Sequence, residues 1–431
     1  MQICKIDHTV REMAHKLFGI VLLIGGLISF LEGGSVLAAE PGVTETTIRV
    51  GATMPLGGDS ELYGLNMKKG IEAALANQIV QGRKVELEVV NNFDEHITTI
   101  EVVKPLIDKG IFVMLGHVGT LTSLKLIPLL AGNEIPAVGF YMAGPLETKT
   151  EDEDTSDIDP YILNFRPGHI REVTTIVAAA TDAGIKAPQI CMFAQNDADG
   201  LAGVDGLKSA LAKLPNAQTS LQSFDKIIEM MWGGINPALN NMGPVGLYLR
   251  GTTLLREGHQ SLKNWEKNNG EPCRLVILVA TPKVAADFIA YASYKNENWI
   301  FSAISATAAG DALKNRLLEN NIQTKVIVSQ IVPVLDGNLP IVTDARNALG
   351  SELNLVNLEG FIVGRMFLNI LRSMNGPVTR ANFLKAARRQ SFDLGGLKID
   401  FTKGNQGSSL VLLRTLNVDK YAAFSAEDMK R

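Results

Sequence analysis

At 431 residues, 46% of them apolar and only 6% aromatic, the chain is too long for one compact core and points to two domains of ordinary size. Its net charge of −4 at pH 7 argues against nucleic acid as a partner. The first element is the uncharged run Leu17–Leu31 (LFGIVLLIGGLISFL), preceded by Lys5, Arg11 and Lys16 and followed by Val36, Leu37, Ala38 and Ala39. It reads as a secretory signal peptide over residues 1–38, with cleavage near Ala39 or Glu40. As a helix it spans about 22 Å, short of the roughly 30 Å hydrocarbon core, so a retained anchor is the secondary reading. A soluble monomer outside the inner membrane is expected.

From Thr46 onward short β-rich runs alternate with helical patterns, the signature of α/β layering around mostly parallel sheets. The expected strands are 46–53, 85–92, 111–118, 136–140, 189–194, 245–249, 274–280, 299–304 and 325–332, several of them continuously apolar as strands covered on both faces must be. Helices are expected over Leu65–Ala76, Ser123–Leu130, Ala285–Tyr294 and Leu358–Met374, and Pro105 should kink or split another that follows Thr98. The acidic stretch Glu147–Asp159 reads as a solvated loop, and 250–272 as a surface helix ending at Asn-Asn-Gly. Once Cys4 leaves with the signal, Cys191 and Cys273 remain. Two buried free thiols are the favoured expectation, with a single bridge as the alternative.

A secreted α/β chain invites a search for catalytic signatures. The sequence has no G-x-S-x-G elbow, no phosphate-cradling glycine loop, no H-E-x-x-H and no paired cysteine spacing, and its six histidines are scattered. The run Gln195–Gly206 mimics the start of a calcium loop but has Gly206 where the bidentate acid belongs. No enzyme, metal or cofactor is therefore expected.

Three strand-to-loop-to-helix junctions have a composition suited to a small polar ligand. The first carries Gly57, Gly58, Tyr63 and Gly64, the second Gly116, Gly119, Thr120, Thr122 and Ser123, and the third Tyr141, Met142 and Ala143. Unpaired N–H groups and hydroxyls at a helix start form an anion site without any basic side chain, though the same residues serve as ordinary turn and cap chemistry. Ligands of open parallel sheets sit beyond the carboxyl ends of the strands, so three such loops can line one crevice.

Across the chain, IRVGATMPLGG with YG and KKGIEAA, then IFVMLGHVGTLTSLKLIPLLAGNEIPAVG, LEGFIVGRMFLNIL and LKIDFTKGNQGSSLVLL, resemble the type I periplasmic solute-binding proteins of branched-chain amino acid ABC transporters. The resemblance implies two lobes, each a mostly parallel sheet flanked by helices, joined by three hinge crossings near Phe165–Pro167, Gln330–Pro333 and Ile399–Thr402. Lobe 1 would comprise 46–166 and 331–399, and lobe 2 would comprise 167–330 and 400–431. It also implies an amino-acid-like ligand closed between the lobes and a membrane permease as partner. The loop Gly119–Thr122 would hold the ligand's carboxylate, chiefly through Thr120. Tyr141–Ala143 would take its ammonium, and Tyr63 would stand at the cleft mouth. From the second lobe, Asp199, Thr281 and Ser305 are the expected contacts.

Some positions depart from the family's pattern. Ala143 stands where a hydroxyl is common, and Asp199 where an aromatic would cover the ligand. No carboxylate occurs over Ile304–Ala306, where one would hold the ammonium, and the first-lobe disulfide is absent. A ligand sensor of the same fold, coupled to a receptor or regulator, is the alternative function, and a secreted enzyme a distant third.

Overall fold

The computed structural model describes residues 40–143, 160–233 and 243–430. The expected signal segment 1–38 and the acidic loop 147–159 lie outside the described residues.

In chain order the first half runs β1 (Thr47–Met54), α1 (Glu61–Leu75), β2 (Ile79–Val80), β3 (Arg83–Asn91), α2 (His96–Asp108), β4 (Val113–Leu115), α3 (Thr120–Gly132), β5 (Ala137–Val138) and β6 (Ile162–Leu163). These strands form a six-stranded sheet, ordered β2-β3-β1-β4-β5-β6, in which only the β2–β3 pair is antiparallel. Successive side chains of a strand point to opposite faces, and β4 shows the consequence. Val113 and Leu115 join the core under α1, while Met114 joins the one under α2 and α3. A strand buried on both sides has no polar face to show, which is why its run reads as continuously apolar.

The second half continues α4 (His169–Asp182), β7 (Ile190–Gln195), α5 (Ala198–Leu211), α6 (Gln218–Gly233), β8 (Val245–Tyr248), α7 (Arg256–Asn269), β9 (Leu275–Val279), α8 (Pro282–Tyr294), β10 (Ile300–Ala303), α9 (Ala312–Glu319) and β11 (Val326–Gln330). Then follow α10 (Pro340–Leu349), α11 (Leu355–Ser373), α12 (Arg380–Ala387), the hairpin β12 (Ser391–Asp393) and β13 (Lys398–Asp400), and the strands β14 (Leu412–Asn417) and β15 (Lys420–Ala423). The second sheet has seven strands, ordered β15-β14-β11-β10-β9-β7-β8, parallel except for the β14–β15 edge. Along β9, Leu275, Ile277 and Val279 face α4 to α6, and Val276 and Leu278 face α7 to α9. The α/β two-lobe class expected from the sequence is the one observed.

Helices α10 to α12 return to the first lobe, where Phe361, Phe367 and Phe383 complete its core. The chain thus passes between lobes at 164–168, at 331–333 and again after Ile399 and Phe401, which still pack in the first core. In that third passage the Asn164 backbone exchanges hydrogen bonds with Asn405 and Gly407, so two of the crossings run side by side.

Cys191 and Cys273 form a disulfide with Cα atoms 5.9 Å apart, which corrects the expectation of free thiols. Cys191 lies on β7 and Cys273 just before the neighbouring β9, a proximity that two separate apolar runs do not reveal. Pro105 does not split α2, which runs unbroken over His96–Asp108; it falls in the last turn, so little helix follows the hydrogen bond it removes. The 136–140 strand shrinks to Ala137–Val138, since the chain turns at Gly139 with φ 63°. The C-terminal hairpin, unassigned from the sequence, forms because β14 pairs antiparallel with the last parallel strand.

Candidate functional site

The ends of β1, β4 and β5 in one lobe and of β7 and β9 in the other open onto a common cleft of about 90 Å³. Tyr63, Gly119, Thr120, Tyr141, Ala143, Asp199 and Thr281, all anticipated from the sequence, line it. Thr122 and Ser305 do not. Thr122 is fully buried beneath the loop, where its hydroxyl donates to the Gly119 carbonyl (3.1 Å) and lies 2.9 Å from His117 Nε2. Burial pushes the His117 pKa down to about 3, so the ring is neutral and is a scaffold for the loop. Ser305 sits in the floor and donates its hydroxyl and N–H to Glu172 at 3.0 and 2.7 Å.

Thr120 opens α3 behind Gly119. Its hydroxyl accepts from the Ala143 N–H (2.8 Å) and donates to Asp199 Oδ1 of the other lobe (2.7 Å). Two further contacts span the cleft. The Tyr63 hydroxyl donates to the Ala306 carbonyl at 3.1 Å, and the Arg250 guanidinium donates to the Asp94 carboxylate at 2.7 Å and to its carbonyl at 3.0 Å. Thr281 contributes from the start of α8, its N–H bound to the Tyr248 hydroxyl at 3.1 Å.

The sequence reading missed most of the charge. Asp197 caps α5 by accepting from the N–H groups of Asp199 and Gly200, and Asp94, His169 and Arg250 also face the cavity. Burial and then the neighbouring Asp199 charge push the Asp197 carboxyl up to about 6. Asp199 is held below its ordinary range, because the neighbouring His169 ring and the Thr120 hydrogen bond outweigh its burial. His169, the first residue of α4, lies 3.4 Å from Glu172 and 3.7 Å from Asp199, and these two carboxylates raise its pKa against the effect of burial. In the wall of the cavity Arg166 stacks over the Tyr141 ring at 3.9 Å, donates to Ser305 at 3.1 Å and meets Glu359 at 3.1 Å. No motif marks these residues; the fold gathers them from positions 94 to 359.

The described residues contain no helix long and apolar enough to cross a membrane, and no group of three or more His, Cys, Asp or Glu arranged to hold a metal ion. Two lobes around a charged cleft is the arrangement that the sequence resemblance implied.

Residues 47–216 match the family model of the periplasmic binding proteins. No curated protein sequence matches the chain. Among solved structures, a possible leucine/isoleucine/valine-binding protein from Rhodopirellula baltica SH 1 is 25% identical with a TM-score of 0.73, covering 90% of this chain and 98% of that one. A branched-chain amino acid ABC transporter protein from Thermus thermophilus with bound valine is 14% identical, with a TM-score of 0.66 over 89% and 96% of the two chains. An R. palustris solute-binding protein in complex with 4-hydroxybenzoate is also 14% identical, with a TM-score of 0.66 over 88% and 95%. The resemblance to type I periplasmic binding proteins therefore holds. Two of these structures, both named for ABC transporters, hold ligands of different chemistry, valine in one and 4-hydroxybenzoate in the other.

Proposed function

We propose that this chain is an extracytoplasmic solute-binding protein that closes on an amino acid or similar small polar molecule and presents it to the permease of an ABC transporter. The observation that carries the reading is the cleft itself, whose two walls come from different lobes and already touch through Thr120–Asp199, Tyr63–Ala306 and Asp94–Arg250. A space of about 90 Å³ holds several water-sized groups, which suits a ligand of amino-acid size better than a long acyl chain. The charged and hydroxyl groups around it favour a polar ligand. The signal-like N-terminal sequence and the family match support a location outside the cytoplasm, where the protein would act as a monomer on diffusing solute.

Thermal unfolding of the protein from Glu40 onward, in the presence of amino acids, amides and short carboxylates, tests the reading. A ligand at a hundredfold its dissociation constant stabilises the native state by about 2.7 kcal/mol, enough for a clear shift in melting temperature. Stabilisation by a compound that is recovered unchanged is the expected result. No shift across the panel overturns the proposal.

A further inference from the structure

We propose that the cleft recognises its ligand through a cationic group, received by the carboxylate of Asp199 at the place where the family resemblance puts the ligand's carboxylate. This rests on the solute-binding reading above and reverses the polarity of the site.

Thr120 has one hydroxyl proton, and it goes to Asp199 Oδ1; the oxygen's accepting side is taken by the Ala143 N–H. The side chain meant to greet an anion therefore already holds one that belongs to the protein. The guanidiniums do not compensate. Arg166, in the wall of the cavity, is committed to Glu359 and Ser305, and Arg250 to Asp94 at its mouth, with its Nε 3.8 Å from Asp197. Asp199 keeps 39% of its side chain exposed in the cleft wall, and among the described residues its Oδ2 has no hydrogen-bond partner. An incoming carboxylate would meet Asp199 head-on, whereas an ammonium would find its exposed oxygen waiting.

His169 gives an independent indication of a ligand. It lines the same cavity, is only 1% exposed, and neither ring nitrogen has a hydrogen-bond partner. Glu172 and Asp199 at 3.4 and 3.7 Å attract the ring without completing its hydrogen bonds. Buried polar atoms are rarely left so, and an acceptor brought by the ligand satisfies one of them. The ligand class that meets both requirements is a small primary amine with a neighbouring carbonyl oxygen, for which a free carboxylate is dispensable.

The test uses alanine, alaninamide and propionate, which are similar in size and differ in charge, with leucine, leucinamide and isocaproate as the larger set. Calorimetry on the wild-type protein should show the amide of at least one set binding within a few-fold of its amino acid, and neither acid binding measurably. Asp199→Asn should weaken the amide at least about tenfold, the usual effect of removing a hydrogen bond to a charged group. Unchanged unfolding of the ligand-free variant shows that it folds. Propionate or isocaproate binding as tightly as its amide, failure of both amides, or an Asp199→Asn protein with wild-type affinity for the amide overturns the inference. If the broad panel yields only an anion without a cationic group, cation recognition falls while solute binding stands. If it yields nothing, both fall.

Discussion

The two lobes enter the cleft through the same local construction and deliver opposite chemistry. In the first, α1 presses so closely on the end of β1 that a Cβ on Gly64 would lie 1.8 Å from the Pro55 carbonyl oxygen. In the second, α5 presses on the end of β7, and a Cβ on Gly200 would lie 1.7 Å from the Gln195 carbonyl oxygen. The residue just before each glycine faces the cavity and reaches the opposite lobe: Tyr63 bonds Ala306, and Asp199 bonds Thr120. One lobe thus contributes an aromatic ring, the other a charge. Similar folding constraints at the glycine leave the neighbouring position free to set what the site recognises.

The lobes differ most in how they are stapled. Only the second contains cysteines, and its disulfide closes a sequence separation of 82 residues, for which chain entropy gives about 4 kcal/mol. Reduction should therefore lower stability by that order, with faster amide exchange in β7 and β9 and little change in β1 and β4. Equal loss of protection in both lobes would show that they unfold as one unit and break the comparison at that level.

Smaller effects are expected at the paired junctions. Gly64→Ala and Gly200→Ala each force a methyl into a backbone oxygen, and overpacking of this kind costs about 1–3 kcal/mol or more. Gly57, in the loop that leads into α1 and with nothing within 4 Å of where a Cβ would stand, should accept alanine within about 0.5 kcal/mol. Denaturant unfolding of the three variants checks the set. A neutral Gly200→Ala would mean that the second junction relaxes where the first does not, and the likeness between the lobes would be superficial.

The first lobe's share of the cleft was legible because it is local: Tyr63, Thr120 and Tyr141 each sit in a strand-loop-helix junction whose glycines and hydroxyls can be seen in a short window. Asp199, just past β7, was named through the family's pattern and not from its own window. Asp94, His169 and Arg250 carry no such signature: Asp94 and Arg250 meet only across 156 positions of chain, and His169 meets Asp199 from a different helix. Ser305 was placed by the family's pattern, yet it serves the buried Glu172, a carboxylate that lies within the apolar-looking face of α4. Pairing of Cys191 with Cys273 depended in turn on β7 and β9 being neighbours, a fact of sheet order rather than of either run.

The smallest expected effect concerns the charge buried between the lobes. Burial pushes the Glu359 carboxyl up to about 7 despite the opposing Arg166, and the Asp197 carboxyl up to about 6, while the His169 pKa is raised by Asp199 and Glu172. All three shifts have the same sign. Between about pH 4.5 and 7 the folded protein holds a proton on Glu359 that the unfolded chain has released, and Asp197 does the same up to about 6. His169 keeps its proton above the pH at which an unfolded histidine loses it. Stability from these groups is thus present in mild acid and lost as pH rises, whereas His117 and His259, whose pKa values are lowered by burial, oppose them below about pH 6.5, so the melting temperature of the ligand-free protein should fall from about pH 6.5 to pH 8. Glu172 and Asp199, held low, begin to lose their contributions only below about pH 4.5 and leave this window clear. Glu359→Gln retains a polar group beside Arg166 but removes the proton, and should flatten the slope near pH 7 while leaving the part due to His169. The same slope in wild type and variant would show that Glu359 does not titrate in this range, and a melting temperature that rises with pH over this window would reverse the sign assigned to the whole cluster.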